Sequence, residues 1–554
     1  MEKLFIFLLF YFVIVFSIIG YGNLFSLIFK RIYSIGERGL VGILSLIIIS
    51  YITNFFSPHS LTHNSLIIIF GLLVFVICTI NDFKNNTKEL LPTLAVFLIL
   101  FIGLLMYKNH DDFYYYHFSY TLTLIEYKKI LGIGLLNHGF RTPSSIFYLN
   151  SLFYLPYVKY FLLNSGAVFI MGFSNLILLD KINKLLKLKK VTFILFLSIL
   201  SFIYINTVFY RLAEHGTDRS ALILVFLLVI TYLESFGNIK EFFNKKNFIF
   251  YYERLIILIL LIISLKSFYL IYSFLLILWI FQFREFVFTK SGIFTVLRNN
   301  FTYIFIVSLV LFVGHVFLNT GCLVYPASFT CFENMSWAIP IDQVAQMKTH
   351  YSLWSKAGAT PNFRVENPEF YLSNFNWLSQ WLSSYFFSKV TDTIFVTFLI
   401  SFIFVITLKN NKKISSYAYN NNYTVLFVAL ALLLLEWFLN HPSLRYGGYT
   451  LVALMFFVPV SFFLEKRSVF NDGFKKKVTI LVFVTFSIFI VKNVSRINNE
   501  NIKYKYNLLS NPFFNITKDL FVFQDILTDI QARYKKTNDN FYIILNHSLI
   551  NNKN

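Results

Sequence analysis

Long apolar runs separated by short polar connections dominate the chain. About fourteen stretches of roughly 17 or more mostly apolar residues, centred near 16, 47, 73, 98, 170, 200, 228, 256, 275, 309, 399, 430, 456 and 485, are each long enough to cross a hydrocarbon core of about 30 Å as a helix. The pattern predicts an all-α, polytopic transmembrane helix bundle. The first run, 4–29, is too long for a signal-peptide core and carries no small-residue cleavage site, so it reads as a retained span. The predicted organisation is a four-span N-terminal segment (1–107), an extracytoplasmic loop (108–160), a central bundle (161–318), a large extracytoplasmic loop (319–390), a C-terminal bundle (391–492) and a small extracytoplasmic tail (493–554).

Composition agrees with a lipid solvent. The 554 residues are 57% hydrophobic and 14% charged, with a mean hydropathy of +0.65, which is too little charge to solvate a globular surface of that size. Phe and Ile in excess, with Asn and Lys in the polar segments, fit an AT-rich coding sequence, so an aromatic stripe reads by default as core or lipid-facing. A formal net charge of +21 would point to nucleic acid in a soluble protein, but here the basic residues sit in short loops. These hold Lys30, Arg31 and Arg38; Lys84 and Lys88; KINKLLKLKK (181–190); Lys240, Lys245 and Lys246; Arg284, Lys290 and Arg298; Lys409, Lys412 and Lys413; and EKRSVFNDGFKKK (465–477). Every second connection is one of them, so the positive-inside rule makes them cytoplasmic and no nucleic-acid partner is needed. The rule also places both termini outside, although Lys3 argues against that for the N-terminus.

The remaining connections then share the external side and hold most of the residues with chemistry. Asp111 and Asp112 head KNHDDFYYYHFSY (108–120) where an apolar run ends, and His117 follows in the same segment. FYYYHFSYTLTLIEYKK (113–129) mixes aromatic, hydroxyl and charged residues too densely for a span, yet keeps a helical apolar face, as an interfacial helix does. A second interfacial helix is expected within 146–160, closed by Pro156, with the crossing assigned to 161–179. His138 and Arg141 lie between the two helices, and RLAEHGTDR (211–219) gathers Arg211, Glu214, His215, Asp218 and Arg219 between two spans. Charge that dense beside hydrocarbon is costly unless it pairs or binds something. Lys266 and Arg445 interrupt two other external turns; each alone reads best as a snorkelling cation, and together they make an anion site. Carboxylates can take a proton from a hydroxyl or hold a divalent metal, and guanidinium forks match phosphate oxygens. An Asp pair at a helix end can equally be a solvated terminus. Cys322 and Cys331 bracket a Pro-containing turn and read as a disulfide. Trp377 and Trp381, one turn apart, read as an aromatic anchor at headgroup level in preference to a sugar-stacking platform.

An acidic motif in the first large external loop, followed by two interfacial helices and short external loops, resembles the GT-C glycosyltransferases, except that three extra spans precede the motif here. A closer resemblance is to a loosely described group of bacterial polytopic proteins, often encoded among surface-polysaccharide genes. It rests on DDFYYYHFSY, GLLNHGFRTPSSIFYLNSLFYLP, NTGCLVYPASFTCF, NFNWLSQW and HPSLRYGGY in that order, from about 108 to 450. The resemblance implies transfer of a sugar from a polyprenyl-phosphate-linked donor to a glycan or lipid-linked acceptor, on the outer face of the bacterial inner membrane. Such donors need no nucleotide-binding domain, and GIG at 132–134 lacks the rest of any phosphate-loop fingerprint. On that reading Asp111 or Asp112 is the general base or metal ligand, with His117 orienting it. Arg211, Arg219, Lys266 and Arg445 hold phosphate, and His138, Arg141, Glu214, His215 and Asp218 support the site. An O-antigen-type polymerase or ligase, relying more on Arg and His, and a lipid-linked oligosaccharide flippase are the alternatives.

The Lys/Arg asymmetry predicts that reporters fused near residues 185 and 470 report cytoplasm, while those near 345 and 445 report the exterior. A cytoplasmic signal at 345 would invert the side of every candidate residue.

Overall fold

The computed structural model describes residues 1–81, 83–110, 112–211, 213, 216–236, 245–409, 421–515, 534–536 and 542–544. Among them eleven helices are long and apolar enough to cross a membrane, and Phe193–Val208 and Ser267–Gln282 are shorter apolar helices. The centre of every apolar run in the sequence falls on a helix, including the one near 98 in Phe83–Leu104. Among the described residues the strands form two small antiparallel hairpins, Ala359–Thr360 with Phe363–Arg364 and Tyr534–Lys536 with Tyr542–Ile544. The protein is all-α and multi-pass in character.

Local signals set the helix starts. Ser34 closes a capping box: its side chain accepts from Glu37 N, and the Glu37 carboxylate accepts from Ser34 N at 2.9 Å. Thr192 and Asn471 cap the helices beginning at Phe193 and Asp472. Packing in an apolar solvent relies on close backbone approach. A Cβ on Gly20 would lie 1.8 Å from Gly71 O, and one on Gly42 would lie 1.9 Å from Ile18 O. These contacts bring Glu2–Phe29 against both Ile35–Thr53 and Leu61–Asn81.

Ion pairs then separate the two ends of the bundle. Arg31 Nε meets Glu253 Oε2 at 2.6 Å, Arg254 Nε meets Glu37 Oε1 at 2.5 Å, and Arg38 pairs with Glu89 and Lys181 with Glu234. Residues from the starts or ends of six helices therefore gather at one end, which is the end the sequence assigns to lysine-rich loops. Asp218, Lys266 and Arg445 meet at the opposite helix ends.

The two helices expected along the interface are present but enclosed by protein. The first begins as a π-helical turn, Phe113–His117, and continues as Phe118–Glu126, in which every residue from Phe118 to Ile125 is buried. The second is shortened to Ser145–Ser151 and is wholly buried. They pack on each other, and the second packs on Ile35–Thr53. Their hydroxyls explain the difference, because they bond inside the protein: Tyr120 OH with Tyr148 OH at 2.9 Å, and Ser151 Oγ with His59 Nδ1 at 2.7 Å. The expected disulfide joins Cys322 to Cys331 in the segment following Asn300–Thr320.

Candidate functional site

The site begins with a loop held by aromatic donors. Residues 441–447 connect Asn421–Asn440 to Gly448–Glu465, and Gly447 turns the chain at a φ of 114° that favours glycine. Trp381 Nε1 donates to Pro442 O at 2.8 Å and Trp437 Nε1 to Ser443 O at 2.8 Å. Tyr385 OH accepts from Leu444 N at 2.9 Å, and Tyr269 OH donates to Arg445 O at 2.7 Å. Trp377 and Trp381 are only 1% and 2% exposed, so they are neither headgroup anchors nor a sugar platform. Trp381 is committed to fixing the backbone that carries Arg445, with Trp377 packed against it at 5.9 Å between ring centroids.

Arg445 so placed meets a buried carboxylate. Its Nε lies 3.0 Å from Asp218 Oδ2, and Lys266 Nζ bonds Asp218 Oδ1. Asp218 stands in the first turn of Gly216–Glu234, where the helix dipole also favours an anion. Lys266 follows the last residue of Lys245–Leu265 and sits 4.7 Å over the Tyr446 ring. Both cations expected to hold phosphate are thus first paired with Asp218, and the set carries one net positive charge.

The acidic motif lies within electrostatic range of this set. Asp112 and Asp218 both raise the pKa of the Tyr116 phenol, which burial already pushes far up and Arg445 opposes. Asp112 is also among the groups whose charge acts on Arg445. His117 does not orient Asp112. The imidazole beside Asp112 is that of His110, with Nδ1 3.6 Å from Oδ2 and accepting from Asp112 N at 3.1 Å. His117 instead lies within the fields of Asp218, Arg445 and Lys266. Its Nε2 is out of contact with solvent and has no hydrogen-bond partner. Asp111, Glu214 and His215 lie outside the described residues.

His138 and Arg141 flank the cluster. Tyr115 OH and His138 Nδ1 are 3.1 Å apart, and Arg141 donates from Nε to Gly134 O at 3.1 Å and from Nη1 to Tyr325 OH at 2.8 Å. Tyr325 lies between the two bonded cysteines, so the disulfide loop supplies the partner that steadies Arg141. Arg219 lies 5.8 Å from the Phe209 ring centroid. Arg211 lines a cavity with Lys108, His110 and Lys492. Among the described residues no group of three or more His, Cys, Asp or Glu side chains is placed to hold a metal ion.

A family model described as a domain of unknown function, DUF8201, matches residues 4–452. The chain belongs to this family. The match takes in every candidate from Asp112 to Arg445 and stops before the Asp472–Tyr504 helix. No curated protein and no solved structure matches the chain.

Within this family domain lies a second polar set that the sequence did not single out. Lys129, 2% exposed, donates to Asn319 Oδ1 at 2.6 Å and to Tyr148 OH at 3.4 Å. Tyr148 OH also meets His315 Nδ1 at 3.0 Å, and Asn319 Nδ2 donates to Tyr120 OH at 3.2 Å and Phe140 O at 3.1 Å. Its partners are an amide and a phenol and not a carboxylate, and burial draws the Lys129 pKa down to about 7. The network ties the enclosed helices to the end of Asn300–Thr320, from which the disulfide loop departs.

Burial pushes the His117 pKa down to about 3; Asp218 opposes this and Arg445, His110 and Lys266 reinforce it. An exposed imidazole titrates near 6.5, so between those values the unfolded chain binds more protons than the folded one, and stability falls as pH drops from about 6.5 towards 3. His117→Gln removes that titration. The thermal midpoint of the detergent-solubilised variant is expected to fall less steeply over this range than that of the wild type; parallel slopes would contradict the assignment.

Proposed function

We propose that the protein is a GT-C-like glycosyltransferase of about fourteen spans. It moves a sugar from a polyprenyl-phosphate-linked donor to a cell-surface glycan or lipid-linked acceptor at the extracytoplasmic face of the bacterial inner membrane. The observation that carries this reading is the Asp218–Lys266–Arg445 set at one end of the bundle, with Tyr116 and His117 within its electrostatic range. Carboxylate and cations lie side by side there, at the end opposite the Arg31–Glu253 and Arg254–Glu37 pairs. A flippase would place its charge along the spans facing a central path; charge gathered at helix ends supports transfer instead.

In the proposed reaction the acceptor hydroxyl oxygen attacks the anomeric carbon, and the bond from that carbon to the phosphate oxygen breaks. The phosphate leaves with the electron pair, and the hydroxyl proton passes to a carboxylate, Asp112 or its neighbour Asp111. Asp112 suits this role because its side chain is 34% exposed and reachable by a hydroxyl. Arg445 engages Asp218 through Nε and its side chain is 33% exposed, so its terminal nitrogens can meet phosphate oxygens. Asp218 acts as the fixed counter-ion that aims Arg445 and Lys266, and the neutral His117 imidazole supports the same set. Arg141 and His138, tethered to Tyr325 and Tyr115, are placed to bind sugar or acceptor hydroxyls.

Losing a general base typically costs about 10²–10⁴-fold in rate, whereas losing a solvated helix end costs little. At least one of Asp111→Asn and Asp112→Asn is therefore expected to insert normally and abolish complementation of a glycan defect in a deletion strain. Arg445→Lys, which keeps the charge near Asp218 but loses the fork, is expected to impair it. Loss in Arg445→Lys with both Asn variants fully active would favour the O-antigen-type polymerase. Full activity in all three would remove the support for transfer.

A further inference from the structure

We infer that a groove between three helices of the bundle is a binding site for a zwitterionic, two-chain bilayer lipid that carries a primary ammonium, of the phosphatidylethanolamine class. The groove, of about 770 Å³, lies between Phe193–Val208, Thr391–Leu408 and Asp472–Tyr504. Contacts fix how these helices run. Phe196 meets Phe404 at 6.1 Å between ring centroids, Lys477 Nζ donates to Thr407 O at 2.8 Å, and Lys492 Nζ donates to Thr207 O at 2.9 Å. Phe193–Val208 and Asp472–Tyr504 therefore run in one direction and Thr391–Leu408 against them, which puts Thr207, Asp392 and Lys492 at a common end.

The lining changes character along the groove as an amphiphile does. Asp392 and Lys492 stand at that common end, and Ile400, Phe404, Leu481 and Val484 line the remainder. From Asp392 to Phe404 the helix advances about 18 Å, close to the depth of one leaflet of a hydrocarbon core about 30 Å thick. Val396, Ile403 and Val484 line the groove and are exposed, so it opens sideways, where a lipid can enter from the bilayer.

The two charges identify the head group. Lys492 meets a backbone carbonyl and the Tyr210 ring, 4.9 Å from its centroid, and no side chain among the described residues pairs with the Asp392 carboxylate. An ammonium and a carboxylate that line one apolar groove without bonding each other are costly beside hydrocarbon unless each finds an opposite charge. A lipid phosphate answers Lys492, and a primary ammonium, with three hydrogen bonds to donate, answers Asp392. Choline has no N–H to donate and is held by aromatic faces, and here the Tyr210 ring is already engaged by Lys492. An anionic lipid or a prenyl phosphate would leave Asp392 without a cation. The lipid is therefore distinct from the proposed sugar donor, and its binding is independent of the transferase reading.

Asp392 and Lys492 are both exposed, so replacing them does not threaten the fold. Full-length protein in uncharged detergent is titrated separately with phosphatidylethanolamine, phosphatidylcholine, phosphatidylglycerol and farnesyl monophosphate, and bound lipid is followed by native mass spectrometry. Phosphatidylethanolamine is expected to bind saturably and about tenfold or more tighter than each of the others, as a charge-assisted hydrogen bond to Asp392 allows. Asp392→Asn should abolish its preference over phosphatidylglycerol, and Lys492→Met should weaken both lipids, each with an unchanged thermal midpoint in lipid-free detergent. The groove-filling Ile400→Trp should weaken phosphatidylethanolamine binding while both charges remain. Equal affinity for phosphatidylethanolamine and phosphatidylcholine, tighter binding of farnesyl monophosphate, or an undiminished preference in Asp392→Asn would each overturn the inference.

Discussion

The arrangement of the candidate site depends on one buried carboxylate. Asp218 accepts from Lys266 and Arg445 at once, and in doing so joins the start of one helix, the end of the next and a loop more than two hundred residues further along the chain. Removing one partner of such a set would leave an uncompensated buried charge, which typically costs about 3–5 kcal/mol. The Trp381, Trp437, Tyr269 and Tyr385 contacts fix the loop on one side of that carboxylate. The acidic motif, entering beside the loop through Tyr116 and His117, inherits a position rather than creating one. The polar set is a consequence of where helix ends meet.

A multi-pass bundle has only two such places, and the chain uses them differently. At one end ion pairs tie helices together, as Arg31 does with Glu253 and Arg254 with Glu37. At the other end Asp218 answers both Lys266 and Arg445. The Lys129 network and the disulfide loop hold the enclosed helices rigidly over this second end, so its excess charge is presented in a fixed geometry.

Much of this was legible in the sequence because hydrophobic length and the positions of lysine and arginine are strong signals in lipid. They point to the helices and to Asp218, Lys266 and Arg445 sharing one end of the bundle. Side-chain pairing was less legible. His117 follows the acidic motif in sequence, but the π-helical turn over Phe113–His117 shifts its register, and His110 takes the place beside Asp112. Trp377 and Trp381 carry the composition of a headgroup anchor, yet a polar loop needing indole donors draws Trp381 inside. Lys129 was hidden in a run of tyrosines and threonines because nothing local shows that Asn319 and His315 lie opposite it.

The central claim, that sugar leaves a lipid phosphate at this end of the bundle, is tested most directly by mass spectrometry of lipid extracts from a strain lacking the gene. The account predicts accumulation of a polyprenyl-phosphate-linked sugar, exposed at the outer leaflet, together with the surface glycan lacking that residue. An unchanged lipid-linked pool, or a pool trapped on the cytoplasmic leaflet, would contradict it.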